Sequence, residues 1–364
     1  MNDDRDGPTR PLRRAVLFFA VGVLVTGCLP YSCQRTANEA VYPADSTSRR
    51  VAESVPTDSL RPVGATGGTD THPLTYPRTV RFVEETVVVS DAERNSLFRF
   101  GLDGTFRREV PDEAFAVPYL IGHRGDTLVV FNAEADRIDF VAEGRRLADR
   151  AVAYDRPSRE ALVYMLATDA HLYAKVVGQD VGAHVVRLDP TGAVEARAEL
   201  GGPYWRRAGF LRTWGDSLVS LSGYRPVVHR LPRGFADGAP ADSLSLVGFD
   251  SPMLERSYAY AEGDVSKPPL LSASAAAVGD RLFVLNLRPG WVQIDVYDRS
   301  GRLQRRLVEP HSGGDRGFYP LDLDVRRADA GYRLAVAVRS PEPRLQLFRW
   351  RPPTPESASQ PPVE

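Results

Sequence analysis

The chain has 364 residues, of which 43% are apolar and 26% charged, with a formal net charge of −1. That balance belongs to a globular protein with a sizeable core and excludes a disordered chain. It also offers nothing that would attract nucleic acid or anionic lipid.

At the N-terminus, Arg10, Arg13 and Arg14 precede an apolar run from Ala15 to Val25. The run is about a dozen residues long, against roughly 20 for a membrane-spanning helix, and Pro30 opposes its extension. It ends in Val25-Thr26-Gly27-Cys28, which resembles the lipobox of bacterial lipoproteins, where small residues precede a thiol that accepts a diacylglyceryl group. The resemblance implies a signal peptide over residues 1–27, lipidation at Cys28, and export to an envelope membrane with the bilayer as first partner. Leu29, rather than Asp, after the cysteine implies the outer membrane in a double-membraned host. The only other cysteine, Cys33, is then left without a disulfide partner, and a cysteine-type zinc site is excluded.

Residues 28–72 read as the lipidated N-terminus and a flexible linker, rich in Ser, Thr, Pro, Asp, Arg and Gly from about Gln34 to Thr71. A closing strand is expected within 59–74. The folded body is expected at 73–350, and residues 351–364, with five prolines, form a Pro-rich disordered tail that cannot continue a sheet.

Within the body one unit recurs: an extended apolar stretch, a Gly-Asp-like turn, a second apolar strand, a polar loop and a third strand. The second strands begin near Val87, Leu128, Leu172, Leu218, Leu282 and Leu334, at spacings of about 41, 44, 46, 64 and 52 residues, the period of propeller blades. The long spacing marks an insertion carried by the fourth repeat. Third strands include Leu97 to Phe100, Arg137 to Val141 and Val292 to Tyr297, and turns such as Asp103-Gly104 lead to fourth strands. Helical periodicity is nearly absent. The expected fold is all-β, a six-bladed β-propeller of four-stranded antiparallel blades, preceded by a signal segment and a flexible tether. Pro352 and Pro353 follow the third strand of the sixth repeat, so the N-terminal closing strand is expected to complete that blade.

The stretch Val87 to Gly104, with Asp91, Asn95 and Asp103-Gly104 at its turns, resembles NHL-repeat-like six-bladed propellers. The resemblance implies fold more than activity.

Second-to-third loops and blade-to-blade crossings share one face of such a propeller. That face collects aromatic and arginine residues, namely Tyr204, Trp205, Arg206 and Arg207, then Tyr258 in the insertion, then His311 and Arg316, all on crossings, with Tyr224-Arg225 and Trp291 added by second-to-third loops. Such side chains on loops suit a sugar, peptide or carboxylate, so the expected partner is an envelope protein, peptide or glycan, and not nucleic acid. Trp205 and Trp291 would equally serve to cap the spaces between blades. No catalytic residue and no metal ligand is assigned. The six histidines are scattered, and Asp91, Glu93, Asn95, Asn132, Glu134 and Asp136 are residue types the turns require. A binding or scaffold module is therefore the first reading, with no cofactor. The alternative is a metal-dependent, lactonase-like propeller hydrolase with calcium in its channel.

Overall fold

The computed structural model describes residues 46–152, 154, 161–262, 269–288, 290–310 and 317–353. The chain enters through helix α1 (Ser46–Ser54) and strands β1 (Thr57–Ser59) and β2 (Arg61–Thr66). Blade 1 is then β3 (Pro77–Val83), β4 (Thr86–Asp91), β5 (Ser96–Gly101) and β6 (Phe106–Pro111). Blade 2 is β7 (Pro118–Arg124), β8 (Thr127–Asn132), β9 (Arg137–Ala142) and β10 (Arg145–Ala151). Blade 3 is β11 (Leu162–Ala167), β12 (Leu172–Gly178), β13 (Gly182–Leu188) and β14 (Val194–Glu199). Blade 4 is β15 (Leu211–Trp214), β16 (Ser217–Leu221), β17 (Val227–Pro232) and β18 (Asp242–Ser245), and helix α2 (Leu254–Glu262) follows it. Blade 5 is β19 (Ser272–Val278), β20 (Arg281–Asn286), β21 (Gln293–Tyr297) and β22 (Leu303–Val308). Blade 6 takes β23 (Tyr319–Ala328), β24 (Gly331–Ser340) and β25 (Arg344–Trp350).

Each blade is an antiparallel meander, and the first strands of successive blades touch around a closed ring, β23 meeting β3. This is a six-bladed β-propeller, and its first strands wall a central channel. The second strands are near-continuous apolar runs because each packs against a neighbouring blade on both faces. In β4, Val87 and Val89 point to blade 6 while Val88 points to blade 2; in β20, Leu282 and Val284 face blade 4 while Phe283 and Leu285 face blade 6. The two-residue period of a strand sends alternate side chains to opposite faces. An apolar cluster consequently fills every junction between blades.

The expectation of a flexible linker through residue 72 fails from residue 46 onward. Ser48, Val51 and Ala52, at helical spacing, form one buried face of α1. Val51 joins the cluster of Trp214, Phe249 and Leu303, and Ser48 Oγ accepts a hydrogen bond from Gly248 N (2.7 Å). β1 then pairs in parallel with β22, adding a fifth strand to blade 5, and Leu60 is fully buried at the junction of blades 5 and 6. β2 pairs antiparallel with β25 as the outer strand of blade 6. Trp350 Nε1 donates to Asp58 Oδ2 (2.9 Å) beside this join. The ring is thus closed by strands from both ends of the body, which leaves no open edge between the first and last blades.

A second difference lies in the insertion after blade 4. Its first part is a helix rather than an irregular loop, since Leu254, Glu255, Arg256, Ala259 and Ala261 are good helix formers. Leu254 and Ser257 bury one side of it, and Ser257 Oγ donates to the Tyr224 carbonyl (2.6 Å).

Candidate functional site

The channel is crossed at mid-depth by a buried ionic bar. Asp322 on β23 is fully buried; Arg81 of blade 1 donates to its Oδ2 (2.6 Å) and Arg212 of blade 4 to its Oδ1 (2.6 Å). Ser274 Oγ (2.6 Å) and Val80 N (3.0 Å) complete the acceptor's needs. Burial alone would raise the Asp322 pKa, but the guanidiniums of Arg81 and Arg212 hold it below the ordinary carboxylate value. Burial lowers Arg212 to about 10, with Arg81 adding to the effect.

Above the bar, four first strands carry β-bulges. The register between first and second strands slips at Pro77/Thr79, Leu120/Gly122, Ser272/Ser274 and Pro320/Asp322. The skipped residues are Arg78, Ile121, Ala273 and Leu321. A bulge re-aims the extra side chain, and all of these line two adjoining cavities of about 190 and 200 Å³ at the upper end of the channel. Arg78, Tyr164 and Phe210 belong to both cavities, Tyr119 to the first, Tyr224 and Tyr319 to the second. Neither cavity has a carboxylate among its described lining residues.

Arg78 is held by tyrosines. Its Nε donates to Tyr119 OH (3.1 Å) and its Nη1 to Tyr76 OH (3.2 Å), and its guanidinium lies 5.4 Å from the Tyr119 ring centroid and 5.6 Å from that of Tyr76. Arg339 stacks on the same Tyr76 ring at 4.6 Å. Arginine faces and aromatic faces attract through the ring quadrupole, so this ladder fixes the guanidinium without neutralising it.

A second cationic group sits behind Tyr164. Lys175 is fully buried, lies 5.3 Å from the Tyr164 ring centroid, and donates to the carbonyls of Gly209 (2.7 Å) and Leu221 (3.0 Å). Burial, then the nearby Arg207, pushes its pKa well below the usual lysine value. Gly209 is required here, because at φ 144° a Cβ would stand 2.4 Å from the Leu221 carbonyl oxygen. His229, buried beside Arg207 and hydrogen-bonded to it, is pushed down to about 3 by burial, with Arg207 and Lys175 adding to the shift. It is therefore neutral and accepts from Arg207 at ordinary pH.

The sequence-predicted residues divide. Tyr204–Arg207 form a half-buried 3-10 turn at the rim of the second cavity. Trp205 packs edge-on against Tyr224 (6.3 Å), Arg206 stacks on Trp205 (5.2 Å), and Arg207 Nε donates to the Gly201 carbonyl (2.8 Å). Trp291 departs from the expectation of a recognition residue: it is only 4% exposed and belongs to the interior of the fold. Its apolar ring is more stable packed against strands than in water. Tyr258 lies on α2, with its side chain outside the described residues, and Cys28, His311 and Arg316 lie outside them altogether. Arg78, Tyr119, Tyr164 and Phe210 were not singled out from sequence. Arg78 and Tyr119, like Tyr319, share one signal, a place beside a proline in the opening residues of a first strand, which Tyr164 and Phe210 lack.

The acidic residues near the turns are engaged in structure. Asp91 accepts from the backbone of Thr75, Tyr76, Glu93 and Arg94 (2.7–3.2 Å). Asn132 bonds Asp139, and Asn286 bonds Asp295, each joining the second and third strands of a blade. Burial raises Asp295 to about 6, against the opposing pull of Arg306. The calcium of the hydrolase reading would need a convergent oxygen set at the channel. Of the described carboxylates there, Asp322 is clasped by two arginines and Asp324 accepts from Phe82 N (2.7 Å). No group of three or more His, Cys, Asp or Glu converges among the described residues.

No family model and no curated protein matches this chain. Solved structures do. The β-propeller domain of Cps50 (Swd1) from Myceliophteria thermophila is 11% identical with a TM-score of 0.52, covering 80% of this chain and 99% of that one. Virginiamycin B lyase from Staphylococcus aureus is 11% identical with a TM-score of 0.50, covering 79% and 98%. Regucalcin from Agrobacterium tumefaciens, a calcium-binding protein, is 11% identical with a TM-score of 0.52, covering 82% and 97%. At such identity the likeness is one of fold, and the chain is a β-propeller similar to proteins of varied function.

Proposed function

We propose that the chain is an exported lipoprotein, anchored through acylated Cys28 to the envelope membrane, whose propeller is a binding module for an envelope protein, peptide or glycan. In a double-membraned host the membrane is the outer one. The recognition face is the upper end of the channel, with its aromatic and arginine rim. The observation that carries this reading is the pair of cavities walled by Arg78, Tyr119, Tyr164 and Phe210, with no carboxylate among their described lining residues, closed below by the Arg81–Asp322–Arg212 bar. A concave, largely apolar cavity with a few fixed polar groups is the ordinary form of a ligand site. Trp205 and Arg206 extend it onto the rim, where aromatic and arginine side chains contribute most per residue to recognition.

Two measurements test this. Incorporation of labelled fatty acid should be complete in the full chain and absent in Cys28→Ser. Crosslinking in intact cells should capture a partner whose yield falls several-fold when Trp205 and Arg206 are both changed to Ala, with the thermal transition unchanged. Equal capture by that double variant would remove the upper face as the recognition surface.

A further inference from the structure

The geometry points to a free carboxylate as the group that the upper chamber recognises, seated on Arg78 with an aromatic or aliphatic body against Tyr119, Tyr164 and Phe210. This deepens the reading of the upper face as a recognition surface and rests on it. The argument begins with Arg78, which is half-buried on a bulge and faces both cavities. Among the described residues its side-chain hydrogen bonds go to the phenol oxygens of Tyr119 and Tyr76, and no carboxylate pairs with it. The donors on Nη2 have no partner among the described residues. A guanidinium cannot shed its proton in a protein, so this is a standing positive charge in a partly desolvated cavity. Such a charge is stabilised by an anion that reaches it.

The tyrosines sharpen the preference. Each phenol oxygen accepts a hydrogen bond from Arg78, which turns the remaining O–H hydrogen toward other acceptors. Nη2 and a phenol O–H can each donate to one oxygen of the same carboxylate. A phosphate would need a fuller shell of donors than these walls supply. The rest of the first cavity's lining, including Leu120, Ile121, Met165 and Phe210, is mostly apolar, apart from Thr79 and from Arg81, which Asp322 holds, so the body of the ligand is apolar or aromatic. Cavities of about 190 and 200 Å³ admit a small organic acid or the last residue of a peptide. Lys175 lines neither cavity and donates to the backbone carbonyls of Gly209 and Leu221.

The test is calorimetric titration of the full chain with phenylacetate and with an acetylated tripeptide ending in Phe, each compared with its neutral amide. At least one acid should bind about 10-fold or more tightly than its amide, the worth of a charge-assisted pair. Tighter binding of phenylacetate identifies a small acid as the source, and tighter binding of the peptide identifies a chain end. Arg78→Gln should bring the acid-to-amide ratio to about one, and Tyr119→Phe should reduce it about threefold while leaving the ring in place. If Arg78→Gln does not fold, the Tyr119→Phe ratio decides. Equal affinity of acid and amide, no binding of any of the four probes, or an acid preference that survives these variants overturns the inference. Should that happen while partner capture still depends on Trp205 and Arg206, the recognition face stands and only its carboxylate seat falls. Capture that ignores those residues, with the acid preference intact, gives the reverse.

Discussion

The upper and lower halves of the channel are walled by the same first strands, yet their chemistry differs. Above the Arg81–Asp322–Arg212 bar, bulges rotate Arg78, Ile121, Ala273 and Leu321 into two small cavities with no carboxylate among the described lining residues. Below it the strands pair in regular register, and the lower cavity, at about 580 Å³, is the larger. Its lining mixes Arg81, Arg212 and Arg233 with Asp169, Asp324, His123 and His171, so opposite charges meet within its own walls. Asp324 is desolvated there and its pKa is raised by burial despite the opposing field of Arg81. Size therefore does not select the site. What distinguishes the upper half is a fixed charge that no carboxylate among the described residues pairs with, and that contrast comes from backbone irregularity rather than from composition.

The bar is the element whose loss would break the comparison most severely. Asp322→Ala leaves Arg81 and Arg212 buried without their hydrogen-bonded counter-charge and should cost about 3–5 kcal/mol in chemical denaturation, while joining the two halves of the channel. A loss under about 1 kcal/mol would show that water already reaches the bar. A smaller effect concerns the rim. His229 has a folded pKa of about 3 against 6.5 for an ordinary histidine. The unfolded chain takes up a proton between those values that the folded chain refuses, so stability falls as pH is lowered from 6.5 toward 3. His229→Gln should flatten that part of the stability profile, and an unchanged slope would assign the acid sensitivity elsewhere. The smallest effect sharpens the contrast itself. Asp324→Asn keeps an acceptor for Phe82 N and removes a desolvated charge, so stability should change by less than about 1 kcal/mol. The acid-to-amide preference of the upper chamber should not change, and a shift in that preference would mean that the halves act as one site.

Much of the fold was legible because burial on both faces writes second strands as short apolar runs such as Val87-Val88-Val89 and Leu282-Phe283-Val284-Leu285. Turns announced themselves through glycine: Gly301, at φ 78°, would place a Cβ 2.4 Å from the Ser245 carbonyl oxygen of the adjacent blade. Helix α1 was hidden because its nine residues carry only Val51 and Ala52 as apolar side chains. The spacing of Ser48, Val51 and Ala52 is helical but reads as spacer until the facing junction of blades 4 and 5 is known. The rim of the site was visible in Trp205, Arg206 and Tyr224, whereas its floor was not. Whether Arg78 faces the channel or the next blade depends on a one-residue slip between Pro77 and Thr79, and a bulge of that kind leaves no mark in an alternating pattern. Trp291 illustrates the converse, an aromatic in a loop-like stretch beside Gly290 that the fold buries.

The most direct test of the chamber as an anion seat is a crystal structure of the full chain grown with phenylacetate. The carboxylate should lie within hydrogen-bond distance of Arg78, between the hydroxyls of Tyr76 and Tyr119, with its ring toward Phe210. A carboxylate found instead in the lower cavity, against Arg81 or Arg233, would contradict the account.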